Sequence, residues 1–220
     1  MAAIEQTLKS RPMRWRKTVA VTLQLVVHLG AALPLLWLYF AINRGLLGGD
    51  PVKELIHFLG LGALRLLMLT LLVSPLASGL SFGQLNRLRR PLGLWCFAWA
   101  SLHFTAWLAL DLALDWSLIG SELVERTYIL LGFIAWILLL ALAVTSIPKL
   151  MRLMGKYWKK LHGFAYVVLL LGCWHFWWSV KSGWVEPALY LAGAVSLLLL
   201  RRRKVAQWLG GFSSTPGRSR

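Results

Sequence analysis

The segment LHGFAYVVLLLGCWHFWW, residues 161–178, is apolar and aromatic along its length but carries two histidines, His162 and His175. Its length is typical of a helix that crosses a bilayer, which needs about 20 apolar residues. Ionisable side chains are rare in such helices, and where they occur they mark a functional site or a hydrogen bond between helices. The two imidazoles therefore raise the question of which partner the rest of the chain supplies.

The composition of the whole chain is that of an integral membrane protein. Of its 220 residues, 58% are hydrophobic and 15% are charged, whereas soluble domains are about 25% charged. The formal net charge is +16, but the basic residues lie in short clusters between apolar runs, which argues against nucleic-acid binding. Cys96 and Cys173 lie inside apolar runs at different predicted depths, so we expect two buried thiols and no disulfide.

The apolar runs predict an all-α fold: a polytopic bundle of six transmembrane helices in one domain spanning residues 1–220. The basic segment KSRPMRWRK, residues 9–17, precedes a run that is too long for a signal peptide, so we expect a retained first span. The predicted spans are residues 18–42, 54–75, 92–111, 127–147, 161–180 and 185–200.

The distribution of charges predicts the orientation of the bundle. Most Lys and Arg residues lie in the N-terminal segment, in the connections after the second and fourth predicted spans, and in the tail. Most Asp and Glu residues lie in the connections on the opposite side. By the positive-inside rule, both termini are predicted to be cytoplasmic.

Two histidines are predicted to lie at a similar height in the bilayer. Counted from the cytoplasmic ends of their spans at about 1.5 Å per residue, His103 lies about 18 Å deep and His175 about 22 Å deep. Two imidazoles at one height on parallel helices can ligate a haem iron from both faces, which gives a six-coordinate centre suited to electron transfer. The alternative is that each histidine only hydrogen-bonds a neighbouring helix. The matched heights favour the haem pair.

His162 has no such partner. It lies about 20 Å below His175, near the cytoplasmic surface, where Arg89 and Arg90 precede the third predicted span and no histidine lies at this depth. His162 is therefore a candidate ligand of a second haem with a different partner, or a contact of a flavin phosphate or a quinone oxygen.

Arg65 is a cation in the middle of the second predicted span, which costs at least ~2.5 kcal/mol on insertion scales. A haem propionate or a flavin phosphate would pair with it, and snorkelling towards a surface is the alternative. His28 and His57 are expected to pack or to contact a propionate. Three further arginines on the cytoplasmic side are candidates for binding a propionate or a flavin phosphate: Arg89, Arg90 and Arg152.

Longer stretches carry a resemblance to a known family. LRRPLGLWCFAWASLHF (88–104), TSIPKLMRLMGKYWKKLHGFAY (145–166), the following His175 and LMLTLLVSPL (67–76) resemble the ferric-reductase-like transmembrane family. Within it, the chain is most similar to haem-binding membrane subunits of bacterial periplasmic protein-methionine-sulfoxide reductase systems.

The resemblance implies residue roles. His103 and His175 match the outer haem ligands of the family, and His162 matches its inner histidine. The inner ligand expected in the third span falls instead at residues 89–91, and the FAD and NADPH domains of the NADPH oxidases are missing. Direct oxidation of NADPH is therefore not expected.

The resemblance also implies a function. We expect haem b, and by resemblance alone flavin mononucleotide (FMN), in a subunit of the bacterial inner membrane. Electrons would come from a cytoplasmic flavin reductase or the quinone pool and pass to a periplasmic molybdopterin-dependent methionine sulfoxide reductase that repairs oxidised proteins. The sulfoxide chemistry would belong to that partner, and the acidic segment 111–125 is a candidate docking surface. The alternatives are a quinol-linked cytochrome b of another reductase, or a haem-free transporter or scaffold.

Overall fold

The computed structural model describes residues 13–180 and 183–213 and builds this part of the chain from helices without a β-strand. The predicted all-α fold is confirmed. The N-terminal cations Lys9 and Arg11, the loop cation Lys181 and the tail beyond residue 213 lie outside the described residues. The chain divides into two compact units, residues 1–116 and 117–220, and the assignment of 1–220 to one domain stays a prediction.

The first unit contains three long helices. They are α1 (Met13–Asn43), α2 (Pro51–Gly79) and α3 (Arg89–Ala106), with a 3-10 helix (Gly83–Leu88) before α3 and a π-helical turn (Trp107–Asp111) after it.

The pairing of α2 with α3 forms the core of this unit. Helix α2 begins at Pro51 because proline suits the first turn and because the Asp50 carboxylate accepts a hydrogen bond of 3.1 Å from the Lys53 amide. Trp99 of α3 is buried and donates its indole N–H to the Ala31 carbonyl of α1. This hydrogen bond links α3 to α1 within the unit.

The second unit is a series of shorter helices. They are α4 (Trp116–Glu125, which begins at the unit boundary), α5 (Thr127–Val144), α6 (Pro148–Met154), α7 (Lys156–His162), α8 (Ala165–Ser179), α9 (Val185–Leu200) and α10 (Arg202–Ser213).

Local chemistry explains where these helices end. After α5, Ile147 is extended, as expected before Pro148, and α6 starts at that proline. Gly155 separates α6 from α7 with a φ of +51°, a conformation that favours glycine. The span predicted at 161–180 is therefore divided, since residues 161–162 end α7 and α8 begins only at Ala165.

Helix α8 is the centre of the second unit and packs against α5 and α9. Val168, Leu169 and Cys173 of α8 are almost fully buried, as is Ala194 of α9. Cys96 in the first unit is buried as well, so both cysteines are the buried thiols that the sequence predicts.

Length and hydropathy make five of the described helical segments candidates for membrane spans. They are Thr18–Asn43, Pro51–Gly79, Gly83–Asp111, Thr127–Val144 and Lys156–Ser179. Helix α9 is apolar but has only 16 residues. Large apolar side chains such as Leu25, Trp37 and Phe40 are exposed on α1, and a lipid environment would cover such a surface. The six-span count and the cytoplasmic termini stay predictions.

Candidate functional site

His103 lies in α3 with its ring held against α2. Its Nδ1 is 2.8 Å from the carbonyl oxygen of Ile56, and the ring is half-buried. Gly60 of α2 faces the ring so closely that a Cβ built on it would lie 3.0 Å from both Nδ1 and Cε1. The imidazole therefore occupies the space that a side chain at position 60 would need.

His175 lies in α8 with the same kind of environment on α5. Its Nδ1 is 2.6 Å from the carbonyl oxygen of Tyr128. A Cβ built on Gly132 would lie 2.8 Å from Nδ1 and 2.9 Å from Cε1. The tyrosine ring lies beside the imidazole, with 6.0 Å between the ring centroids.

The surroundings of His103 and His175 are arranged in the same way. In each, the carbonyl lies 47 residues before the histidine, and a glycine that faces the ring follows the carbonyl residue by four positions. Because each Nδ1 is within hydrogen-bond distance of a carbonyl, Nδ1 carries the proton of the neutral ring and Nε2 is the nitrogen that would ligate a metal. Histidine ligands of metals are usually held this way. The chemistry of these two rings therefore fits axial ligation of haem iron.

His162 has different surroundings, in the second unit. Its Nδ1 is 3.1 Å from the Trp158 carbonyl oxygen, its Nε2 is 3.4 Å from the Ser146 hydroxyl, and its ring stacks on the Trp158 indole at 3.9 Å. The Trp158 N–H in turn donates to the Thr145 carbonyl. A ligand at Nε2 of His162 would have to displace the serine hydroxyl.

The remaining two histidines lie on exposed faces of the first unit. Nδ1 of His28 accepts a hydrogen bond of 2.9 Å from the indole N–H of Trp95. This contact joins α1 to α3, as expected of a packing residue. His57 is exposed on α2, one residue after the carbonyl that holds His103.

The four arginines predicted to bind a propionate or a phosphate are all exposed. Arg65 lies on the exposed face of α2, Arg89 and Arg90 in the first turn of α3, and Arg152 in the last turn of α6. The structure brings none of them into a buried pocket of its own unit.

One buried arginine is not among the residues predicted from the sequence. Arg201, at the end of α9, is only 5% exposed, and it donates from Nη2 to the Tyr166 hydroxyl at 3.2 Å. Its guanidinium also lies 5.3 Å from the Tyr166 ring centroid. Nothing in the run RRRK distinguishes this arginine from its neighbours, so the sequence carries no signal for its burial.

Comparison with known proteins assigns the chain to a family. The family described as "Ferric reductase like transmembrane component" matches residues 59–173. This range is more than half of the chain; it includes His103 and ends two residues before His175. The chain belongs to the ferric reductase-like transmembrane family.

Curated proteins are similar to most of the chain. The protein-methionine-sulfoxide reductase heme-binding subunit MsrQ of Cronobacter sakazakii is 49% identical over 187 residues, which cover 84% of this chain and 94% of that protein. Proteins of the same name from Salmonella paratyphi B and Salmonella newport match with the same identity and coverage.

These matches confirm the resemblance that the sequence suggests. As a ferric reductase-like protein with several apolar helices, the chain is a multi-pass protein of the bacterial inner membrane. The membrane environment makes the two carbonyl-bound histidines notable, because intramembrane imidazoles are uncommon without a functional or packing role.

Proposed function

We propose that this chain is a membrane electron-transfer subunit that binds one haem b, and that Nε2 of His103 and Nε2 of His175 would hold its iron. The observation that carries the proposal is the hydrogen bond from each Nδ1 to a backbone carbonyl. It fixes the tautomer in which Nε2 can ligate iron. The names of the relatives, which describe heme-binding subunits, support the choice of cofactor.

The haem, when bound, supplies a one-electron carrier. The residues of the chain hold the two imidazoles in fixed orientations and exclude water from them. In the first unit, the buried Trp99 lies one helical turn before His103, and in the second unit the buried Cys173 and Phe176 flank His175. Two imidazole ligands would leave no open position on a bound haem iron for oxygen, which would suit electron transfer rather than oxygen chemistry.

We assign no second haem to His162. Both of its ring nitrogens are within hydrogen-bond distance of protein atoms, and its ring is stacked on Trp158. Its role in this proposal is to hold the end of α7 against the residues that follow α5.

The proposed electron path runs from a cytoplasmic flavin reductase or the quinone pool to a periplasmic molybdopterin-dependent methionine sulfoxide reductase. The names of the relatives, which place them in a protein-methionine-sulfoxide reductase system, support this acceptor. The acidic segment 111–125 offers exposed carboxylates for docking, among them Asp111, Asp115 and Glu125, whereas Glu122 pairs with Arg126 at 2.9 Å. Docking through exposed charges predicts an association rate that falls with added salt.

We also propose FMN as a cytoplasmic cofactor, on the basis of the family resemblance and of the exposed cation Arg152. Acid extraction of the purified chain, followed by fluorimetry, counts bound flavin directly. Arg152→Ala should lower that count if the arginine binds the phosphate. Wild-type protein without flavin would remove this part of the proposal and leave the haem proposal intact.

The experiment that tests the haem proposal is a reduced-minus-oxidised absorption spectrum of the detergent-purified chain, with haem extracted and counted. We expect a low-spin b-type spectrum and about one haem per chain. His103→Ala and His175→Ala should each abolish the low-spin signal, whereas His162→Ala should keep most of it. His57→Ala is the matched control, because His57 is an exposed histidine in the same unit as His103.

Three outcomes would contradict the proposal. A colourless wild-type protein made with ample haem would favour a haem-free scaffold or transporter. Loss of haem in His162→Ala with retention in His103→Ala would show that the ligand pair is wrong. A haem-containing chain that a quinol reduces, but that a methionine sulfoxide reductase cannot oxidise, would favour a cytochrome b of another reductase.

A further inference from the structure

Two glycines face the rings of the proposed ligands, Gly60 against His103 and Gly132 against His175. We propose that Gly60 and Gly132 are positioning residues: each uncovers a backbone carbonyl that orients a histidine through Nδ1 and thereby sets the strength and the redox properties of its bond to iron. This inference rests on the proposed function, because it concerns the ligands of the proposed haem.

Helix geometry explains why the residue must be glycine. In an α-helix the carbonyl of residue i accepts the amide N–H of residue i+4, and the oxygen keeps a second lone pair. The Cβ of residue i+4 is tilted towards the N-terminus of the helix, so a side chain there lies over that carbonyl. Ile56 and Gly60 have this spacing, and so do Tyr128 and Gly132. In both helices the carbonyl that the histidine contacts is the one that the glycine leaves open.

The distances show that the space is already filled by the imidazole. At Gly132, an added Cβ would lie 2.8 Å from Nδ1 of His175, closer than real Cβ contacts come, while the Nδ1–carbonyl distance is 2.6 Å. At Gly60, an added Cβ would lie 3.0 Å from Nδ1 of His103, and the carbonyl contact is 2.8 Å. Alanine would therefore push the ring away from its carbonyl at both positions, and further at Gly132.

Two other glycines, Gly62 and Gly93, serve as a comparison because neither faces a histidine. Gly62 lies against the indole of Trp99, which is not a proposed ligand. Gly93, in the same helix as His103, is nearly open, since an added Cβ would meet only the Thr70 methyl group at 3.9 Å. Gly60 and Gly132 differ from these two glycines because each faces an imidazole whose Nδ1 contacts the carbonyl four residues earlier.

The orientation of each ring has a chemical consequence. Donation from Nδ1 to a carbonyl raises the electron density on Nε2, which favours ferric over ferrous iron and tightens ligation. Loss of that hydrogen bond should weaken haem retention and raise the midpoint potential. A glycine that served only helix packing would change stability without changing the spectroscopic signature of the remaining haem.

The test uses the full-length chain, expressed with ample haem and purified in detergent, as wild type, Gly60→Ala, Gly132→Ala and Gly93→Ala. The readouts are haem per chain, the low-spin electron paramagnetic resonance signal and the midpoint potential. We expect haem affinity to fall by about 10-fold in Gly60→Ala and Gly132→Ala. If haem is retained, we expect the preference for ferric over ferrous iron to fall by a similar factor, which raises the midpoint potential by about 59 mV for one electron. Gly132→Ala should show the larger effect, and Gly93→Ala should match wild type.

Double variants deal with poor folding. If the Gly132→Ala protein does not accumulate in the membrane, the double variant Gly132→Ala/His175→Ala is expressed in parallel. The double variant lacks the ring that would meet the new methyl group, and the amounts of the two proteins are compared. Recovery supports a contact with the imidazole, and failure to recover assigns the glycine to helix packing and overturns the inference. The same pair is made with Gly60→Ala and His103→Ala.

Two results separate the failure of this inference from the failure of the proposed function. Wild-type protein without haem refutes the function itself. Wild-type protein with haem, together with Gly60→Ala and Gly132→Ala variants that keep its haem content, resonance signal and potential, refutes only the positioning role.

Discussion

Replacing Gly62 by alanine tests the packing that fixes the first unit. A Cβ at this position would lie 2.0 Å from Cε3 and 2.1 Å from Cζ3 of Trp99. The indole is 3% exposed and donates to the Ala31 carbonyl at 3.1 Å. The ring cannot stay in place, and any movement also weakens its hydrogen bond to α1.

The size of the effect follows from three terms. Overpacking of a well-packed core costs up to about 3 kcal/mol, and the loss of an interhelical hydrogen bond in a membrane adds about 0.6 kcal/mol. Alanine is a better helix former than glycine by about 1 kcal/mol, which offsets part of this cost. We therefore expect Gly62→Ala to lower the free energy of unfolding by about 2.5 kcal/mol.

Reversible unfolding in mixed micelles titrated with dodecyl sulfate, followed by circular dichroism, measures this change. Gly93→Ala is the matched control, because it replaces a glycine in the same helix pair without a close neighbour. In a Trp99→Ala background the added methyl group has no ring to meet, so Gly62→Ala should cost almost nothing there. A full cost in that background, or a cost below ~0.5 kcal/mol in the wild-type background, would refute the reasoning.

Two further predictions concern the second unit. A Cβ on Gly163 would lie 2.0 Å from the indole nitrogen of Trp208, so Gly163→Ala should release α10 and make it sensitive to trypsin. A Cβ built on Gly210 would meet no atom of another part of the chain within 4 Å, so Gly210→Ala should leave α10 resistant; equal digestion of both variants would contradict this. Tyr166→Phe keeps the ring near Arg201 but removes the hydroxyl that accepts from its guanidinium. We expect a loss of about 1.5 kcal/mol in unfolding free energy, as for hydrogen bonds to charged groups, and an unchanged midpoint of unfolding would show that the bond contributes nothing.

Helix positions were largely predictable because the lengths of the apolar runs can be read from the sequence. The predicted segment 185–200 coincides with α9, and 127–147 differs from α5 only at its end. The start of α2 was placed three residues late because the apolar run begins after the Asp50 cap and Pro51. Capping residues are polar, so a search for apolar runs excludes them.

The break before α8 could not be predicted from the same signal. Apolar residues continue through 163–164, so hydropathy shows no boundary between α7 and α8. The consequence is that His162 and His175 lie on different helices.

The residues of the candidate site, which stay a proposal, were predictable in part for a similar reason. A histidine in an apolar run is visible in a sequence, and both proposed ligands were identified from their residue type and depth. Their hydrogen-bond partners are backbone carbonyls of Ile56 and Tyr128, and a carbonyl is present at every residue. The sequence feature that marks these two carbonyls is a glycine four residues later, Gly60 or Gly132. This spacing identifies the carbonyl only when the neighbouring helix is known.

The energetics of a membrane also favour a backbone carbonyl over a carboxylate as the hydrogen-bond acceptor for an intramembrane histidine. Many metal-bound histidines are oriented by a carboxylate, but an Asp at the centre of a membrane helix costs about 2.5–3.5 kcal/mol on insertion scales. A glycine that exposes an existing carbonyl costs only about 1 kcal/mol in helix propensity. Because Gly60 faces His103 within the first unit and Gly132 faces His175 within the second, each proposed ligand would be oriented by its own helix pair at the lower of these two costs.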